Sequence, residues 1–217
     1  MSDTTGRPDA RRTPRRPATL DAQQAEYIVG DEDPAEGSEA AHTSAWALMG
    51  VADDEYGPDT VERLRATVRA EGIDLVANMW SRSPEFTLPG ALWRLYLLWE
   101  WYRRDPESVR RRFEEGRRAA TIPGLERPVS VPDLDAALGQ VHALLTGERT
   151  DDDLAPIIGE SSRVMRVLAA GATLGASWIR DQDDPLAHPV TMRAEALLRT
   201  ADELDEAARL AETGSLD

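Results

Sequence analysis

The sequence predicts an all-α protein, with about eight helices in orthogonal or bundle-like packing, and three observations carry that prediction. Apolar residues recur at steps of three and four along most of the chain, the period of one helix face. Alternating Val/Ile/Thr runs, the mark of half-buried strands, are nearly absent. Gly, Pro and Asp stand where the periodic segments start and stop.

Residues 1–18 combine Arg, Pro, Asp and Thr without an apolar period and predict a disordered basic arm, ahead of a single all-helical domain over 19–217. Leu20–Val29 predicts a short helix capped by Thr19 or Asp21, and Asp31–Glu39 an acidic linker. Glu39–Val51 places Ala45, Trp46, Leu48 and Met49 on one broad face. Asp59 with Glu62 has capping-box spacing; the helix behind it buries Val61, Leu64 and Val68 and ends at Gly72. Asp74 is the expected cap of a short helix carrying Val76, Met79 and Trp80, and Ser81–Gly90, with Pro84 and Pro89, reads as a loop.

Ala91–Arg104 is apolar nearly all round, as in a helix buried on most sides. Asp105 then serves as N-cap and Pro106 as first helical residue of an arginine-rich helix, Glu107–Arg118. Thr121–Pro132 is a connection in which Val129 and Val131 could form a stub of strand. Pro132–Thr146 is amphipathic through Leu134, Leu138, Val141 and Leu145, with Gly147 as stop. Asp151–Asp153 opens the next segment, and Ser161–Ile179 is a helix full of small residues. Asp181–Pro185 is an acidic turn before a last helix from Pro189. Its stripe of Val190, Ala194, Leu197, Ala201, Leu204, Ala208 and Ala211, in alternate steps of four and three, suits a bundle helix packed closely on its neighbours.

Composition narrows the chemistry. The chain has no cysteine, which excludes disulfides, thiolate metal sites and cysteine nucleophiles and fits a cytoplasmic location. All 25 basic residues are arginine, so Schiff-base and lysine general-base chemistry are excluded too. The net charge of −15 makes general nucleic-acid binding an unexpected role. That charge is uneven: residues 1–19 and 103–118 carry +3 each, leaving −21 elsewhere. Neither Ala91–Tyr102 nor Val164–Ile179 reaches the roughly 20 apolar residues of a membrane span, and no apolar run follows the N-terminal arginines as a signal peptide would require.

Five features are candidates for chemistry. Trp93, Tyr96, Trp99, Trp101 and Tyr102 cluster on one helix, in a chain with six Trp. They suit either a Trp-rich core or a recognition surface, where Trp, Tyr and Arg concentrate. Arg94 and Glu100 are that helix's polar exceptions; Glu100 pairs with Arg103 or Arg104, or faces a cavity. Arg103, Arg104, Arg110, Arg111, Arg112, Arg117 and Arg118 suit an acidic partner, although Glu107–Arg111 and Glu114–Arg118 spacings suggest a self-paired solvated face. Ala169, Gly171, Ala172, Gly175 and Ala176 admit a close helix approach, or room for a ligand beside Trp178. The acidic clusters lack calcium-loop spacing, Glu203 and Glu206 lack a second carboxylate pair for a metal site, and His42, His142 and His188 are isolated.

The stretch Leu88-Pro-Gly-Ala-Leu-Trp-Arg-Leu-Tyr-Leu-Leu, followed by Trp101-Tyr102-Arg103-Arg104-Asp105-Pro106, resembles uncharacterised helical proteins of GC-rich actinobacteria. The resemblance spans Thr60 to Leu210; it implies a cytoplasmic bacterial protein and brings no activity with it.

The expectation is therefore a non-enzymatic interaction or regulatory protein. It would bind a protein partner, a second copy of the chain being one candidate, through Arg94, Trp99, Glu100, Trp101, Arg103, Arg104, Arg110 and Arg111. No metal and no cofactor are expected. The alternative is a small-molecule-binding protein or metal-dependent hydrolase with a pocket between helices 91–104 and 161–179, using Arg94 and Glu100 as polar groups.

Overall fold

Eight α-helices and one 3-10 turn make up the regular structure of the computed structural model, which describes residues 34–52, 56–119, 121–125, 130–171 and 194–217. All of these belong to one compact unit, Pro34–Asp217. The helices are α1 (Pro34–Leu48), α2 (Pro58–Glu71), α3 (Asp74–Trp80), α4 (Leu88–Arg104), α5 (Pro106–Arg117), α6 (Leu134–Leu145), α7 (Leu154–Ala170) and α8 (Ala194–Glu212), with the 3-10 turn Asp151–Asp153 before α7. Among the described residues the extended pairing is limited to one isolated bridge, Ile122 with Leu125. No described helix is long and apolar enough to cross a membrane. The all-α expectation is met. The basic arm, the Leu20–Val29 helix, Val129, Gly175, Trp178, the Asp181–Pro185 turn and Pro189 lie outside the described residues.

The helix ends follow local chemistry. Thr87 Oγ1 accepts from Gly90 N at 3.2 Å, Asp105 Oδ1 from Ser108 N at 3.1 Å and Asp133 Oδ1 from Ala136 N at 2.8 Å, opening α4, α5 and α6. Gly72, with φ 100°, ends α2 in a conformation closed to most side chains.

Five expected boundaries move, the first at α4, which begins at Leu88 inside the expected Ser81–Gly90 loop because Pro89 falls in its first turn and gives up no helical bond. α1 begins at Pro34 inside the expected acidic linker, because a proline in the first turn gives up no helical bond and Glu36 complements the helix dipole there. Asp59 does not cap α2: Pro58 takes the first helical position and Gly57 the cap. Asp74 is the first residue of α3 rather than its cap, and its carboxylate accepts from Tyr96 Oη instead. α7 starts at Leu154 rather than Ser161, with Pro156 tolerated in the first turn and Gly159 carried within the helix.

α4 is the hub, in contact with α1, α3, α5, α6, α7 and α8. This explains its apolar residues on all sides: Leu88, Ala91, Leu92, Leu95 and Leu98 are all enclosed. α7 and α8 form the most extensive helix pair, and Leu197, Ala201, Leu204 and Ala208 of the predicted stripe are buried. Ser162 Oγ donates to Ala201 O at 2.9 Å across that pair.

Two arginines tie distant segments together. Arg65 on α2 donates through Nε to Gly147 O at 2.9 Å and through Nη2 to Arg149 O at 3.3 Å, placing a cation at the C-terminal end of α6. Arg166 on α7 donates to Asp202 at 2.6 Å and Asp205 at 2.5 Å on α8. At the other end of α8, Leu216 is buried and Leu88 N donates to Asp217 O at 2.8 Å, which satisfies a first-turn N–H of α4.

Candidate functional site

The eight residues singled out in the sequence do not share one surface. Residues five apart on a helix sit about 140° apart around its axis, so Arg94 and Trp99 face different neighbours. Arg94 turns toward α8, where Nε donates to Glu203 Oε2 at 2.7 Å and Nη1 to Gly90 O at 2.9 Å. Trp101 lies in the core at 2% exposure. Trp99 is half-buried and Arg103, Arg104, Arg110 and Arg111 are exposed.

Glu100 is the anchor beneath that exposed group. It is 1% exposed, yet it carries a carboxylate, and burial of an ion is tolerated only when partners meet it. Arg103 grips it with Nε and Nη2, both at 2.6 Å, and Arg104 adds Nε at 2.6 Å. The two arginines are 51% and 38% exposed, so the ion cluster runs from the core to the surface. Sequence spacing allowed Glu100 either partner; the structure gives it both.

The exposed part follows the seam between α4 and α6. The Arg103 guanidinium lies 5.6 Å from the centroid of the Trp99 ring, and Trp99 stacks on His142 at 5.1 Å. One turn along α4, Tyr102 Oη donates to Asp135. Arg110 donates to the same carboxylate at 2.9 Å and lies 5.0 Å from the Tyr102 ring centroid. Asp135 and His142 are seven residues apart, two turns on one face of α6, and so meet α4 at two successive points. The Tyr102 bond and the Arg110 charge hold the Asp135 carboxyl below its ordinary range. Partial burial and the Asp135 bond push the Tyr102 phenol up.

On α5 the expected self-pairing takes other partners. Glu114 pairs with Arg117 at 3.1 Å rather than with Arg118, and Arg111 donates to Ser108 Oγ at 3.2 Å rather than to Glu107. Tyr102 belongs to the aromatic cluster read from the sequence, whereas Asp135 and His142 are not among the residues expected at the site. The seven-residue step on α6 was the one signal in the sequence that could have pointed to Asp135 and His142.

The polar groups assigned to a pocket between α4 and α7 are occupied: Arg94 by Glu203, Glu100 by two arginines. Glu203 and Glu206 are paired with Arg94 and Arg209, and no group of three or more His, Asp or Glu side chains converges among the described residues. Gly171 does admit a close approach: a Cβ there would lie 1.8 Å from Arg112 O on α5. No family model matches the chain, and no curated protein or solved structure matches it.

Proposed function

We propose that this chain is a non-enzymatic interaction protein of the cytoplasm that binds a protein partner along the α4–α6 seam. The contact residues are Trp99, Arg103, Arg104, Arg110 and Arg111, with His142 and Tyr102 beside them. The observation that carries the reading is the stack of Arg103 on Trp99 on His142, anchored from below by the buried Glu100. Trp and Arg are the side chains that dominate binding energy in protein interfaces. A contact surface already held in place loses little side-chain freedom on binding. The local charge of +3 over residues 103–118 favours an acidic patch on the partner.

The test is native mass spectrometry of the gently purified protein, with and without Trp99→Ala and Arg103→Ala. A partner in fixed stoichiometry, or a second copy, that is retained by the wild type and weakened at least tenfold in both variants supports the reading. Undiminished association in both variants refutes it.

A further inference from the structure

A different arginine of α5 stands apart from this seam. Arg110 and Arg112 are two residues apart, about 160° around the helix, so they lie on opposite edges of its buried face. Arg112 is half-buried, with its guanidinium 5.3 Å from the centroid of the Trp101 ring. Its backbone is fixed at the crossing with α7, where Arg112 O faces Gly171 and Val167 O faces Gly116. Other arginines sunk into this fold hold acceptors: Arg65 two carbonyls, Arg94 Glu203, Arg166 two aspartates. Arg112 makes no hydrogen bond or ion pair among the described residues.

We propose that Arg112 is the receptor for one oxyanion, a carboxylate or phosphate group carried by a ligand of this protein. A guanidinium lying on a ring has one face covered and leaves its in-plane N–H edge for a coplanar oxyanion, which it can grip with two parallel bonds. Burial lowers the affinity of Arg112 for its proton, and Glu115 acts on it through space. Arginine does not deprotonate in proteins, so Arg112 is a cation partly stripped of water. The stretch 103–118 is locally positive by +3, which favours an anion's approach despite the acidic chain.

The test is thermal unfolding of the full chain in sodium phosphate, in sodium acetate, and in chloride at matched ionic strength. A ligand that binds the folded state raises Tm with the logarithm of its concentration. The wild type is expected to rise in phosphate or acetate above chloride, and Arg112→Met to lose that rise. A rise in phosphate alone that Arg112→Met loses assigns a phosphate ligand, and a rise in acetate that it loses assigns a carboxylate. No rise over chloride, or an equal rise in Arg112→Met, overturns the proposal. Should Arg112→Met not fold, the Nε–Hε resonance of Arg112 is followed in the wild type. A saturable shift with either probe supports the site; no shift, or an equal shift at exposed Arg111 or Arg118, overturns it.

Discussion

Gly116 and Gly171 face each other where α5 crosses α7, each against the other helix's backbone. A Cβ on Gly116 would stand 1.9 Å from Val167 O, and one on Gly171 1.8 Å from Arg112 O. Neither carbonyl can move aside without parting the helices. Gly116→Ala and Gly171→Ala should each destabilise by about 1–3 kcal/mol or more. Gly159, inside α7, is the control: a Cβ there meets nothing nearer than Ala208 Cβ at 3.9 Å. Gly159→Ala should stabilise by about 0.5–1 kcal/mol through helix propensity. Urea unfolding of the three variants decides it, and a neutral Gly116→Ala would mean that the helices are not in backbone contact.

The residues that could be read from the sequence are those whose partners are near in the chain. Asp105 and Asp133 cap helices through N–H groups three residues on, and the Leu197–Ala208 stripe shows its period directly. Arg166 gave no such signal. It sits three residues from exposed Arg163 in the same helix, and its aspartates lie 36 and 39 residues away, so only packing distinguishes the two. Trp99 and Trp101 pose the same problem on α4. Periodicity finds the buried face by contrast with a polar one, and a helix apolar on every side offers no contrast. That half-buried Trp99 and enclosed Trp101 differ is a fact of their neighbours, His142 for one and the core for the other.

Glu100 and its two arginines should be strongly non-additive. Arg103→Ala or Arg104→Ala alone leaves the buried carboxylate one partner, and each arginine is over a third exposed, so each loss should be about 1 kcal/mol. Removing both strands a buried charge, for which about 3–5 kcal/mol is the usual loss. Denaturant unfolding of the four-protein cycle should show the double variant losing well more than the two single losses added together. Additive losses would mean that Glu100 reaches solvent.

Asp135 gives a second, milder test near the surface. Its folded carboxyl is held below the ordinary value by the Tyr102 bond first and by Arg110 second. A depressed carboxyl contributes stability above its unfolded value, about 3.9, and loses it as pH falls through the folded value. Tyr102→Phe removes the first cause and leaves the second. Carboxyl NMR should then show the Asp135 midpoint move up toward the ordinary range, and an unmoved midpoint would remove Tyr102 as the cause.

The alkaline limb isolates Tyr96. With no Lys and no Cys, the side chains that titrate from about pH 9 to 12 are the four tyrosines. Burial, and then the bond and charge of Asp74, raise the Tyr96 phenol well above its ordinary value; Tyr102 is raised as well. The unfolded chain therefore releases these protons first. Stability should be level below about pH 10 and then fall, by at most about 1.4 kcal/mol per pH unit for each proton retained in the fold, until the folded values are reached. Tyr96→Phe gives up the Asp74 bond, so it should start about 1 kcal/mol lower at neutral pH, yet decline less steeply above pH 10, with Tyr102 responsible for what slope remains. Urea unfolding from about pH 8 to 11 measures both quantities. An alkaline slope as steep in Tyr96→Phe as in the wild type would show that the proton retained in the fold is not on Tyr96.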